Sequence, residues 1–384
     1  MRKKIQIALL GDILAGNYLS DFLSGKNPNP ITNHKETYIW GDLLPVLQEA
    51  ALRLANLETV ICKGSLKPWP GKKWCFRIDS DAAAAALRAA GIDYVSLGNN
   101  HTMDFGSAGL EQLLDTLKSQ NISFSGAAMN ESGAFIPAVL QSAVGKIGVY
   151  SFAFGDCHLC EQLDVNGKDL MGAAPDRPGI CLLGEPTEEM IDMLCQRLLQ
   201  DKEAFGLSFT ICYMHWSGNY PNPRENPPIP WMPEEKYRQF SHQLIDKGGV
   251  HVLVGTSSHH TAGIEAHNGG LILYGTGDFL SDYYLDPPFY NVPEFFQFCP
   301  GHPAGKHPCA FMSFLYLLTL SEDGIEELKM IPVQGTKLQV QQVLPGHPYF
   351  LAHMNCAIIS AKCLGTDLTE NEGGLLTKLK SRFR

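Results

Sequence analysis

Side chains able to bind a metal or move a proton recur at the ends of apolar runs in this chain. Asp12 closes IQIALLGD (5–12), Asn56 and Glu58 close RLANLE (53–58), and Asn99, Asn100 and His101 close DYVSLGNNH (93–101). His215 stands near the end of LSFTICYMHW (207–216), and His259 and His260 end HVLVGTSSHH (251–260). Asp, Glu, Asn and His together suit divalent ions of intermediate softness, such as zinc, manganese or iron. Each also has an ordinary structural use. Asp12 can cap a helix, Asn99 and Asn100 can make a turn, and His215 beside Trp216 can be a satisfied semi-buried histidine. The repeated placement favours one common site.

The runs that carry these residues are rich in β-formers, as are IGVYSFAF (147–154) and LILYGTGDF (271–279). Continuous apolar stretches of this length predict strands buried on both faces. Helical patterns lie between them. Ser80 is placed to cap Asp81–Ala90, with Gly91 as its stop. Ser107 is placed to open a helix with Leu110, Leu113, Leu114 and Leu117 on one face. Pro233-Glu234-Glu235 begins another that runs to Lys247-Gly248. This alternation predicts an α/β fold, in which ligands bind outside the carboxyl ends of the strands. Residues 156–190 and 217–233 read as Gly- and Pro-rich loops, candidate walls of a site. Residues 284–309 read as an aromatic loop. MSFLYLLTL (312–320) and Glu327–Val333 read as a hairpin, and the chain from about 365 as a fraying polar end.

Of the 384 residues, 45% are hydrophobic and 18% charged, which suits a folded core rather than disorder. A net charge of -10 disfavours nonspecific attraction to nucleic acid or anionic lipid, so neither is an expected partner. The apolar run Ile5 to Leu10 is too short for an export or spanning segment. A cytoplasmic enzyme is the expectation. The 11 cysteines show no repeated spacing and read as reduced thiols. Cys157 and Cys160 form a lone CxxC, a weak zinc or redox signal.

Five blocks, GDILAG, ANLET, SLGNNHTMDFG, HWSGNY and GTSSHHTAGIEAHNGGLILYGTGDFLSDYY, occur in the order and spacing of CapA-like proteins. The sequence resembles that family, named for capsule and poly-γ-glutamate synthesis and related to calcineurin-like metallophosphoesterases. The resemblance implies an α/β, metallophosphatase-like sandwich of two mixed β-sheets flanked by helices. It implies a core over 1–283, a C-terminal extension over 284–364 that completes the sheet, and a polar tail over 365–384. By motif, Asp12, Glu58, Asn100, His215 and His259 resemble metal ligands. His101, oriented by Asp104, resembles the catalytic histidine, with Asp12, Glu58 and His259 also in the catalytic set. Asp278 lies in the GDF turn packed below His259. Arg77, Asn99, Trp216 and His260 are the implied substrate contacts, with a surface salt bridge as the plain alternative for Arg77.

Two departures bear on the metal. Thr256 stands where relatives usually carry a histidine, and the Asp-x-His pair of true phosphoesterases is absent at Leu10-Gly11-Asp12. A single metal is therefore expected rather than two, with none as the alternative. The resemblance implies a metal-dependent hydrolase or transferase acting on a phosphoester or a peptide or γ-glutamyl chain. A metal-independent acid–base peptide epimerase and a non-enzymatic assembly partner are the alternatives.

Overall fold

A computed structural model describes residues 2–26, 34–70, 72, 74–155, 171–216, 232–281, 312–336, 338–347, 350–371 and 373–378. The Cys157/Cys160 pair, most of the 217–233 loop and the 284–309 segment lie outside the described residues.

Two mixed sheets form the centre. The larger runs β20 (Thr369–Asn371), β21 (Gly374–Lys378), β18 (Gly324–Thr336), β17 (Met312–Ser321), β1 (Lys4–Leu14), β2 (Leu52–Leu57), β5 (Tyr94–Ser96) and β6 (Ser123–Ser125). β16 (Asp278–Ser281) also pairs with β1, and β19 (Gln339–Gln342) with β18. The second runs β11 (Leu182–Leu183), β9 (Gly145–Phe154), β12 (Phe209–His215), β13 (Val252–Thr256), β15 (Gly270–Leu273) and β14 (Ile264–His267), with β8 (Ala138–Ser142) beside β9. Two short pairs, β3 (Val60–Ile61) with β4 (Arg77–Ile78) and β7 (Ala127–Ala128) with β10 (Gly179–Ile180), stand apart.

Alternation along β1 explains the layering. Ile5, Ile7 and Leu9 join Ile147, Ile211, Val252 and Leu271 in a core between the sheets. Ala8 and Leu10 face a separate core shared with α1 (Asn17–Leu23), α2 (Lys35–Tyr38), α3 (Leu44–Glu49), α4 (Ser80–Ala90) and α5 (Gly106–Ser119). The outer face of the second sheet packs Tyr150, Cys212 and Leu253 against α6 (Glu131–Phe135), α7 (Glu188–Phe205) and α8 (Glu235–Asp246). Both strand faces are thus buried, as the continuous apolar runs predicted. This is the α/β sandwich of two mixed sheets flanked by helices.

Several local expectations are corrected. Asp79, not Ser80, caps α4, its side chain accepting from Asp81 N, while Gly91 closes the helix at φ 69. α5 starts at Gly106 with no side-chain cap. The 156–190 stretch is not all loop, because Thr187 caps α7 and β10 and β11 precede it. The chain from 365 does not fray at once: β21 pairs with β18, and α9 (Phe350–Cys363) comes before it. The 271–279 run divides between sheets, with β15 in one and β16 in the other. The crossing needs glycine: Gly277 has φ +72, and a Cβ on Gly11 would lie 2.0 Å from the Gly277 carbonyl. Cys62, Cys75, Cys181, Cys195, Cys212 and Cys363 are free thiols. No described helix is long and apolar enough to cross a membrane.

Candidate metal centre

The carboxyl ends of β1, β2, β12 and β13 and the start of β16 bring the polar residues together. Asp12 is buried where β1 meets β2 and β16, opposite Asn56 and Asp278 in register. Its Oδ1 accepts a 2.8 Å bond from Asn56 Nδ2, and its Oδ2 accepts from Ser257 N at 3.3 Å. Asn56 Nδ2 also lies 3.5 Å from Glu58 Oε2, so one amide ties the two acids.

Two donor groups flank this amide. In the first, Asp12, His259 and Asp278 place ligand atoms within 4.8 Å of one another. His259 Nδ1 is 2.8 Å from Asp278 Oδ1 and 3.9 Å from Asp12 Oδ2. His259 holds a left-handed backbone at φ 54, a strain that is uncommon outside functional turns. In the second, His215 Nε2 lies 3.1 Å from Asn100 Oδ1 and 3.6 Å from Glu58 Oε1. The five expected ligands, Asp12, Glu58, Asn100, His215 and His259, therefore fall into two adjoining sets, and Asp278 joins them.

Burial dominates the electrostatics. It pushes the Asp12 carboxyl up to about 7, with Asp278 adding to the rise and His259 opposing it. It holds Glu58 well above the usual carboxylate range, and nearby Asp12 adds to this. It also holds His215 well below the ordinary imidazole value, helped by the charges of His259, His101 and Lys72. Among the described residues, Glu58 Oε1 and Asp278 Oδ2 are buried without a hydrogen-bond partner. Orphaned carboxylate oxygens facing imidazoles fit a divalent cation, because burial leaves them little else to satisfy their charge.

His101 forms a linked third group. Its Nδ1 is 2.8 Å from Asp104 Oδ2, which also accepts from Phe76 N at 2.7 Å. Burial lowers His101 to about 4, against the opposing pull of Asp104. The ring is thus neutral near pH 7, with Nδ1–H donated to Asp104 and Nε2 carrying the lone pair. Lys72 Nζ completes the group by donating to Asp104 Oδ1 and to the Asn100 carbonyl. Sequence reasoning missed Lys72, since a lysine in Gly-Lys-Lys-Trp carries no signal beyond a turn.

The four implied substrate contacts do not fare alike. Asn99 spends its amide inside the fold: it donates to Asn56 Oδ1 and the Leu57 carbonyl, and accepts from His101 N and from Thr102 N and Oγ1. Trp216 is buried, with Nε1 donating to the Tyr274 carbonyl and its ring against Tyr237 and Tyr274. His260 is buried, its carbonyl accepting from Ser258 Oγ. Arg77 is half-buried and lies over the Phe105 ring at 5.1 Å rather than in a salt bridge with a described residue. Thr256, by contrast, takes a defined part: its Oγ1 is 2.8 Å from His215 Nδ1.

Comparison with known proteins places these residues in context. A family model described as bacterial capsule synthesis protein PGA_cap matches residues 6–283. A Mycobacterium tuberculosis protein named "Probable polyglutamine synthesis accessory protein" is 27% identical over 328 residues, covering 84% of this chain and 76% of its own. The PGA biosynthesis protein CapA of Bacillus subtilis is 24% identical over 272 residues, covering 71% of this chain and 64% of its own. Among solved structures, a crystal structure of a novel phosphatase from Mycoplasma pneumoniae aligns with a TM-score of 0.44 at 12% identity, covering 88% of this chain and 97% of that one.

Proposed function

From the premise that this chain belongs to the PGA_cap family of bacterial capsule synthesis proteins, we propose that it is a metal-dependent hydrolase or transferase acting on a glutamyl polymer or a phosphoester intermediate of its assembly. The observation that carries the reading is Glu58 Oε1, buried without a hydrogen bond to a described residue and 3.6 Å from His215 Nε2. A protein with no cation to hold has little reason to bury this acid close to Asp12.

The residues divide the work. Glu58, Asn100 and His215 would hold one divalent ion, and Asp12, His259 and Asp278 offer donors for a second or for sharing the first. Zinc, manganese or iron fits this oxygen–nitrogen set. Such an ion, when bound, lowers the pKa of water and polarises a carbonyl or phosphoryl oxygen. His101 presents its Nε2 lone pair, so it accepts a proton first and can return it to a leaving group. Asp104 fixes the tautomer, and Lys72 balances the Asp104 charge so that His101 stays neutral. Thr256 is compatible with this because its hydroxyl holds His215 instead of ligating.

The test is elemental analysis of protein purified without chelator or metal-affinity tag, with Glu58→Gln and Asp12→Asn in parallel. Near-stoichiometric zinc, manganese or iron, reduced in both variants, is expected. Cleavage of aryl phosphoesters and of γ-glutamyl oligomers is then assayed in the same preparations. A folded protein that takes up no metal on titration would sink the reading.

A further inference from the structure

A second cluster of ligating side chains lies at the other end of the second sheet. His267 on β14 pairs with Gly270, at the amino end of β15, whereas the centre described above sits at carboxyl ends. His242, Glu265 and His267 place ligand atoms within 4.8 Å of one another. Glu265 and His267 are two apart on an edge strand and so share a face, while Ile264 between them and the core points inward. His242 comes from α8, which packs on that face.

Three features point to a cation. The His242 and His267 rings stack in parallel with centroids 3.8 Å apart, which holds the two imidazoles face to face. His242 Nε2 is enclosed and lies 3.0 Å from Glu265 Oε1, so the imidazole faces the carboxylate directly. That separation suits two ligands each about 2.0–2.2 Å from one zinc ion. Finally, Asp246 binds His267 Nε2 at 3.0 Å through both oxygens, as carboxylates do beside metal-bound imidazoles. Asp246 ends α8, where no basic residue in the last turn offsets the negative end of the helix dipole. A nearby cation would.

Arg238 and the Tyr274 hydroxyl already bind Glu265. A carboxylate has about four acceptor positions, and these contacts occupy three, so the Oε1 position facing His242 remains. We propose that His242, Glu265 and His267 form a zinc site, with Asp246 orienting His267, that clasps the end of α8 to edge strand β14.

The experiment titrates zinc into chelator-stripped full-length protein and into His242→Gln and His267→Gln, with circular dichroism to confirm folding. Each variant is expected to bind one zinc fewer than the unaltered protein, whatever the occupancy of the Asp12–Glu58 centre. Zinc is also expected to slow hydrogen exchange of the unaltered protein across 235–246 and 264–267, a readout that needs no variant. Equal zinc stoichiometry in all three proteins, or exchange in those segments unmoved by zinc, would overturn the proposal.

Discussion

Thr256 Oγ1 lies 2.8 Å from His215 Nδ1, so the residue that stands in place of an expected histidine steadies a histidine. β12 and β13 run parallel with His215 and Thr256 in register, which makes the contact a consequence of strand pairing. The hydroxyl also reaches the Met214 carbonyl at 3.5 Å. With His215 Nδ1 engaged, Nε2 is the atom left toward Asn100 and Glu58.

Thr256→Val tests that relationship with little change of volume. On the proposed ligation by His215, loss of its hydrogen bond to Thr256 is expected to weaken metal binding about 10–100-fold. The fold should survive, because the β-branched shape is kept in a buried strand. Isothermal titration of the stripped variant measures the change, and an unchanged affinity would assign Thr256 to packing alone.

Metal uptake should release protons. Asp12 is raised to about 7, mainly by burial, so most Asp12 carboxyls carry protons at pH 6 in the metal-free protein, and burial shifts Glu58 in the same direction. A cation must displace them, and its apparent affinity is expected to climb as pH rises through 7. Titration at pH 6 in buffers of different ionisation enthalpy reports the release. A heat independent of the buffer would contradict it.

Lys72→Met removes the cation from a buried pair, with the lysine side chain 7% exposed and Asp104 fully buried. Breaking such a pair costs about 3–5 kcal/mol because the remaining carboxylate stays buried. Burial is the main reason that His101 titrates near 4, and the Lys72 charge lowers it further. The His101 pKa should therefore rise in the variant. Denaturant unfolding and NMR titration of the imidazole check the two effects separately.

Much of this was legible in the sequence because strand ends expose polar residues to one edge. That Asp12, Glu58, Asn100, His215 and His259 come close together followed from parallel strands whose carboxyl ends coincide, while their choice as candidate ligands came from the family resemblance. What was not legible has a common cause. Asn99 and Trp216 sit among the same motifs as the candidate ligands, and residue type does not say whether an amide or indole turns inward to satisfy backbone groups. Lys72 reaches Asp104 across a loop, a contact that no periodicity encodes. The division of 271–279 between two sheets depends on the approach of Gly11 to Gly277, which lies beyond any local pattern. The His242–Glu265–His267 cluster was likewise hidden, since it joins a helix to a strand through tertiary packing.

Acid stability should depend on a histidine that belongs to neither candidate metal set. His251 Nδ1 accepts a 3.1 Å bond from Thr210 N, and its ring meets Phe209 edge-on. Burial lowers its pKa from 6.5 to about 4, with the Lys202 charge adding to the effect. Between those values the unfolded chain binds a proton that the folded chain does not. The neutral ring's contribution is therefore fully present above pH 6.5 and is lost as pH falls through 4. Linkage puts the loss at about 3 kcal/mol. His251→Gln keeps an acceptor for Thr210 but does not titrate, so its unfolding free energy should fall less steeply between pH 6.5 and 4. Chemical denaturation of both proteins across that range decides it: parallel curves would show that His251 does not set the acid limb.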